Sequence, residues 1–336
     1  MIFQKFIHKF REKDWLSLRG FVAKHFYKNY ILTNKKFFDW QYSSATLVLS
    51  SDNKILGYLG LIPLKMNCFG REIKCACLAN LMIDKSLRNK GAGVDLIQAA
   101  ALGYELLYNL GYNQAMSNLY RHLEWRSDIF LKRFVLILKK IRTPESSSEF
   151  SLMKYSKFDD RVDAFWENIR YKYPITISRS KKYFNWRYAN HPIFKYDIFF
   201  TEKYSEIKAI IVARVEKSGE YKIARIMDFI SRDEAEEFTL QKTTEFYSKR
   251  GIYLLDFFFT GDFHVESLKR CGFVEAKKPP HSLVPSLFNP LVKNPKPINF
   301  AFKLTNTNLY SKKAYDIINN WYVTKGDGDQ DRPNPK

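Results

Sequence analysis

The segment Arg88-Asn-Lys-Gly-Ala-Gly93 sets two positive side chains and two glycines just ahead of Val94–Leu110, where Ile97, Ala100, Ala101, Tyr104 and Tyr108 recur at helical spacing. That periodicity predicts one helix over 94–110, and the apolar text Cys77–Ile83 before it predicts a strand. A glycine loop between a strand and a helix N-terminus lets backbone N–H groups approach an anion without side-chain obstruction, and the helix dipole adds positive potential there. With Arg88 and Lys90 beside it, the loop has the chemistry to hold a pyrophosphate. A Walker loop would need Gly-Lys-Ser/Thr, and a dinucleotide fingerprint would need glycine or alanine where Leu96 stands, so neither nucleotide class fits.

Arg88, Gly91 and Gly93 match the Arg/Gln-x-x-Gly-x-Gly/Ala signature of the GNAT acyltransferases, which the strand, loop and helix together resemble. The resemblance implies that Arg88, Asn89, Lys90, Gly91, Ala92 and Gly93 grip the pyrophosphate of acetyl-CoA or another acyl-CoA. It also implies that Leu81, Met82 and Ile83 pair with the pantetheine arm, a backbone N–H of Leu81 or Met82 steadying an oxyanion, with no metal. Moving an acyl group from a thioester to an amine further needs a group that takes the amine proton. Asn80 lies on the strand, and Tyr120, His122 and Glu124 follow the next strand, where the family places an acidic or phenolic group. Trp125-Arg-Ser-Asp stands where the family has a Gly-Phe turn. Asp228, Asp256 and His264 of the second half join the candidates if their strand ends face the same cleft. Asp256, within Leu254-Leu-Asp-Phe-Phe-Phe, has either a buried partner or an edge position facing water.

These residues need elements to position them, and the chain writes those elements twice. Lys35-Lys-Phe-Phe-Asp-Trp-Gln-Tyr42 returns as Lys181-Lys-Tyr-Phe-Asn-Trp-Arg-Tyr188, 146 positions on, which is a domain length. Strand-like runs follow both copies in the same order, with Asn80 corresponding to Asp228. Aligning the ends of the following helices at Gly111 and Gly251 leaves 31 positions in the first copy against 23 in the second, a gap of 8 that falls on Arg88–Gly93. The expected fold is α/β (α+β): two tandem GNAT-like domains, each a mixed, largely antiparallel sheet flanked by helices. The expected division is a domain with the loop over 1–142, a linker over 143–152, a degenerate domain over 153–305, and a helix with an acidic Gly/Asp/Pro tail over 306–336. Trp40, Tyr42, Trp186 and Tyr188 read as core residues packing a helix on its sheet. Little regular structure is expected beyond Val323, and Asp327-x-Asp329-x-Asp331 lacks the glycine and glutamate of a calcium loop.

With 55 Lys+Arg against 35 Asp+Glu, the net charge of +20 favours anionic partners. Basic runs such as Lys277-Lys lack the interleaved aromatics of a nucleic-acid groove, so no nucleic acid is expected. The charged N-terminus, the lack of a membrane span and four scattered cysteines fit a cytoplasmic protein with reduced, buried thiols. The reading is an N-acyltransferase acting on a small-molecule amine. The segment Asn320–Asp329 is similar to endings of GNAT-like proteins of bacterial surface-polysaccharide pathways, which implies a nucleotide-linked amino sugar as acceptor. An acyl-carrier protein also suits the charge as donor. The alternatives are a Fem-like transferase using aminoacyl-tRNA, and a non-catalytic CoA-binding or assembly module.

Overall fold

The computed structural model describes residues 3–26, 30–42, 45–52, 54–138, 149–218, 220–286, 297–305 and 312–331. Its strands are, in chain order, β1 (Ile7–Lys9), β2 (Leu47–Ser51), β3 (Lys54–Cys68), β4 (Arg71–Ile83), β5 (Leu106–Leu110), β6 (Arg126–Phe130), β7 (Lys132–Ile137), β8 (Ser151–Tyr155), β9 (Ile175–Ile177), β10 (Asp197–Lys203), β11 (Glu206–Ser218), β12 (Tyr221–Ser231), β13 (Leu254–Phe259), β14 (Val274–Glu275) and β15 (Asn299–Leu304). Its helices are α1 (Trp15–His25), α2 (Lys35–Gln41), α3 (Ala92–Ala101), α4 (Gln114–His122), α5 (Arg161–Ile169), α6 (Lys181–Phe184), α7 (Glu236–Ser248), α8 (Val265–Arg270) and α9 (Lys312–Asp316).

Two mixed sheets result, the expected α/β class. The first runs β1-β2-β3-β4-β5-β15-β6, with β9 added on β3, and the second runs β14-β7-β13-β12-β11-β10-β8. Among the described residues, one strand pair in each sheet is parallel, β4 with β5 and β12 with β13, and the other strand pairs are antiparallel. The sheets interlock: β7 crosses from the first half into the second sheet, and β15 returns to sit between β5 and β6 of the first. Of the expected linker, 143–148 lies outside the described residues and Ser151 opens β8.

Alternation along β4 explains the layering. Ala76 and Leu78 point to α3 and α4, packing with Leu96, Ile97 and Tyr120. Cys75, Cys77 and Ala79 point the other way, into a core continuous with Phe257, Phe259 and Trp321 of the second half. The repeated tryptophans belong to that junction. Instead of each packing a helix on its own sheet, Trp40 and Trp186 stack on one another at 5.1 Å, and each indole N–H donates to the other's carbonyl at 3.0 Å. The repeat therefore pairs with itself across a local two-fold.

The single helix expected over 94–110 is two elements. α3 stops at Ala101 and β5 begins at Leu106, the chain turning at Leu102-Gly103. Tyr104 and Tyr108 kept helical spacing by coincidence, while glycine removed the helix's side-chain support. Gly103 is then the counterpart of Gly251: it lies 23 positions beyond Asn80, as Gly251 lies 23 beyond Asp228. The second copy is not shorter by 8, and its loop was replaced rather than deleted. Among the described residues, no helix is long and apolar enough to cross a membrane.

Candidate active site

β4 and β5 run side by side only where Cys75–Leu78 face Leu106–Asn109. β5 then ends and turns at Gly111, while β4 continues to Ile83 against β3 alone. On β4 the register slips by one: Met82 faces Tyr58 and Ala79 faces Gly60, so Asn80 and Leu81 share the place opposite Leu59. Asn80 takes a left-handed φ of 56°, the cost of this bulge. The Asp84 N–H donates to the Leu56 carbonyl at 2.8 Å, which fixes the amides that face β3. By alternation the N–H groups of Leu81 and Ile83 face the side that β5 has left, and that of Met82 faces β3.

The loop follows directly. Asp84 caps a short turn by accepting from the Ser86 N–H at 3.0 Å, and this bond with the Ser86 hydroxyl holds its carboxyl down to about 2. Arg88, Asn89, Lys90 and Gly91 are exposed, with Asn89 and Gly91 left-handed at 61° and 88°, and Ala92 opens α3 as a buried residue. A β-carbon at Gly91 would meet nothing within 4 Å, so the turn is open outward. A β-carbon at Gly93 would lie 3.4 Å from Leu81 Cδ2 and 3.8 Å from Ile83 Cγ1. The helix start is thus laid directly on the β4 stretch whose amides face the gap. Exposed Arg88 and Lys90, a side-chain-free turn and the first N–H groups of α3 form a donor set that fits a diphosphate.

The expected proton-handling residues are dispersed. Tyr120 is fully buried, its ring stacked on Trp125 at 4.3 Å and its hydroxyl accepting from Asn109 Nδ2 at 2.7 Å. Burial pushes that phenol far above its usual range, so it stays protonated, at the level where β5 leaves β4. His122 and Glu124 are exposed at the end of α4. The Asn80 amide accepts from the Tyr30 hydroxyl at 3.1 Å and donates to Tyr42 Oη at 3.2 Å. Asp228 is buried on β12, accepting from Arg179 Nε at 2.9 Å and from the Tyr188 hydroxyl at 3.1 Å, and desolvation raises its carboxyl to about 6. Asp256 has the buried partners, not the edge position: Arg225 lies at 2.8 Å and Arg133 at 2.6 Å. His264 is buried against Glu236, 2.9 Å away.

Sequence reasoning missed the segment beyond Val323. Although only Lys325–Asp327 forms a regular turn, Lys325, Asp327, Asp329 and Asp331 are all buried. Arg179 grips Asp327 at 2.8 Å, and Arg187 grips Asp331 at 2.8 Å and the carbonyls of Gly326 and Gly328 at 2.7 and 3.0 Å. The glycines are needed for passage between the sheets. A β-carbon at Gly326 would come 2.7 Å from the Met227 carbonyl of the second sheet, and one at Gly328 would come 2.9 Å from Leu110 of the first. Asp329 then accepts from Asn80 Nδ2 at 3.3 Å, and Gln330 Nε2 donates to the Leu110 carbonyl at 2.9 Å.

The second sheet repeats the divergence, because β12 and β13 pair only where Ile223–Ile226 face Leu254–Phe257. Here the gap holds the chain itself. The Thr260 N–H donates to the Val323 carbonyl at 2.9 Å, Thr324 bridges Phe259, and the Tyr322 hydroxyl donates to the Phe229 carbonyl. No glycine loop precedes α7, which opens after Asp233-Glu-Ala with Glu236 and Glu237. Carboxylates at a helix N-terminus suit the dipole and repel a phosphate.

Residues 8–123 match the model of the acetyltransferase (GNAT) family, about a third of the chain. That stretch is a GNAT acetyltransferase domain. The chain thereby carries the domain of an acyltransferase. No curated protein matches its sequence. Among solved structures, a GCN5-related N-acetyltransferase from Anabaena variabilis is similar at TM-score 0.62 and 12% identity, over 90% of this chain and 73% of that one. A probable N-acyltransferase of unknown function from Enterococcus faecalis gives 0.64 and 9%, over 89% and 72%. A GCN5-related N-acetyltransferase from Kribbella flavida gives 0.57 and 12%, over 90% and 72%. At these identities the likeness is one of fold, and it extends across both halves of the chain.

Proposed function

We propose that the chain is an N-acyltransferase that takes an acyl group from acetyl-CoA or another acyl-CoA and passes it to the amine of a small polar acceptor. The observation that carries this reading is the place of Gly93, where a β-carbon would come within van der Waals reach of Leu81 and Ile83, so that the glycine turn lies beside backbone donors on a strand edge. A CoA thioester supplies the activated acyl carbon. Arg88, Lys90 and the amides of Gly91–Gly93 hold its diphosphate, and the Leu81 N–H, facing the gap, is the donor for the carbonyl oxygen that gains charge. Tyr120, the phenol that the family resemblance suggests, lies where the strands part, its hydroxyl accepting from Asn109. The charge of +20 and the likeness of the Asn320–Asp329 segment to surface-polysaccharide GNAT proteins favour a nucleotide-linked amino sugar as acceptor.

Calorimetric titration with CoA tests the donor site. Arg88→Glu, at an ordinary φ of −61°, should abolish binding without unfolding the protein. Gly91→Glu should do the same with an added strain of about 1–2 kcal/mol for the left-handed backbone. Undiminished CoA affinity in folded Arg88→Glu would remove the assignment. Thiol release with amino-sugar nucleotides tests the acceptor, and CoA binding without turnover on any amine would mark the chain as a binding module.

A further inference from the structure

Resting on that reading, we infer that the cavity beside the crossover from β6 to β7 holds the diphosphate of a sugar-nucleotide acceptor whose amine lies at the β4–β5 divergence. The cavity measures about 430 Å³, within the range of small-molecule sites. Lys132 at the start of β7, Lys277 after β14 and Ser282 in the turn that follows all line it, so donors reach it from separate segments. Convergent cations and a hydroxyl suit an anion with several oxygens. Among the described lining residues the carboxylate is Glu275, which lies 2.9 Å from Lys277. Lys132 pairs with Asp262, and both pairs reach solvent. Surface pairs of this kind contribute about 0–1 kcal/mol, so a diphosphate can take over their cations.

The wall behind them is fixed. Arg133, its side chain 9% exposed, lies 2.6 Å from Asp256 and donates to the Pro285 carbonyl at 2.9 Å, while its own carbonyl accepts from the Ala276 N–H at 2.7 Å. These bonds tie the turn that carries Lys277 and Ser282 to β7. Phe258 lies 5.0 Å from the Arg133 guanidinium, with Lys325 at 5.5 Å and Arg225 at 5.7 Å from the same ring. The cavity thus stands in front of buried positive charge, of which Asp256 and Glu216 offset a part. Phe130, half-exposed in the wall, offers a flat face to a base or sugar ring.

Strand register puts this cavity at the same end of the first sheet as the donor site. Leu110, where β5 ends, faces Phe300 on β15, and Phe300 faces Ile129 on β6. Phe130 therefore ends β6 at the level where β4 and β5 part, two strand spacings or about 10 Å from β5. A hexosamine linked to a diphosphate can bridge that span, with its amine at the divergence and its phosphates beside Lys132 and Lys277.

Inorganic pyrophosphate titrated into the CoA-saturated protein tests the subsite, since CoA then fills the Arg88–Gly93 loop. Wild type should bind it, and Lys132→Glu and Lys277→Glu should each weaken that binding roughly tenfold or more. Lys249→Glu, the same change of charge at an exposed lysine just after α7, should leave it unchanged. Arg88→Glu should lose CoA and still bind pyrophosphate. In thiol release with amino-sugar nucleotides, Lys277→Glu should raise the KM for the acceptor by a similar factor, far more than it lowers kcat. If CoA-saturated wild type binds no pyrophosphate, if Lys249→Glu weakens binding as much as Lys277→Glu, or if Lys277→Glu leaves the acceptor KM unchanged, the inference is overturned while the donor site stands. If wild type fails to bind CoA, the proposed function falls and takes this inference with it.

Discussion

The two parallel strand pairs of this chain, β4 with β5 and β12 with β13, part in the same way and end in opposite situations. In the first sheet Leu81 and Ile83 turn their amides toward an open loop with Arg88 and Lys90. In the second, Val323 and Thr324 pair with Thr260 and Phe259 at the end of β13, the Tyr322 hydroxyl donates to the Phe229 carbonyl on β12, and the helix after β12 begins with glutamates. Even the facing residues differ: Cys77 stands opposite Tyr108 in the first pair, where the second has the ion pair of Arg225 and Asp256. A strand divergence is an unsatisfied backbone edge, and burying one without partners costs free energy. In one half the amides of Leu81 and Ile83 face the gap, while the other half fills its gap with residues 322–324 of the chain itself, and the same segment goes on to reach the first half.

The comparison breaks most readily at Asp327. Asp327→Ala leaves buried Arg179 with Asp228 as its remaining carboxylate and should cost about 3–5 kcal/mol, read as a lower urea midpoint for the unfolding of both halves together. A change below about 1 kcal/mol would mean that the segment does not close the second divergence. Asp256→Asn should cost about 2–3 kcal/mol at neutral pH. Burial alone would raise that carboxyl, but Arg225 and Arg133 more than offset it and hold it to about 2. Because the folded value is depressed, the stabilisation is complete above the ordinary carboxylate range near 4 and drains away as pH falls through about 2. Melting temperatures of variant and wild type should therefore converge across that window, and a constant difference down to pH 2 would remove the ion-pair account.

Smaller effects sharpen the contrast between the two helix starts. Arg88→Ala should weaken CoA binding by about 1.5 kcal/mol, roughly tenfold, through loss of one charge-assisted hydrogen bond. Glu237→Ala, in the first turn of α7, should leave CoA affinity unchanged and shift unfolding by no more than about 0.5 kcal/mol. An effect of Glu237→Ala on CoA affinity comparable with that of Arg88→Ala would place a donor site in the second half.

Much of the fold was legible because its signals are local. The repeated Lys-Lys-aromatic-Phe octapeptide announced two copies, and apolar patterning found the strand at Cys77–Ile83, although β4 begins six residues earlier at Arg71. The loop was legible because charge, glycine and the following helix are contiguous in sequence. The run 94–110 was misread because two tyrosines of a turn and strand continued the period of the helix before them, and that error displaced the alignment of the second copy. Asp329 was illegible for a different reason. Gly-Asp-Gly-Asp-Gln-Asp is a composition that cannot bury itself, and its burial comes from Arg179, Arg187 and Arg214 on other elements.

The amino-acid sequence by itself determined the duplication, the strand-loop-helix unit at Arg88–Gly93 and the absence of such a loop in the second copy, since each depends on residues close together in the chain. Tertiary structure alone decided that the tryptophans of the two repeats stack on one another. It also decided that β7 and β15 change sheets, and that an acidic segment runs between the sheets to set Asp329 against Asn80. Those arrangements depend on charge pairing and steric room between residues more than a hundred positions apart, which no local pattern encodes.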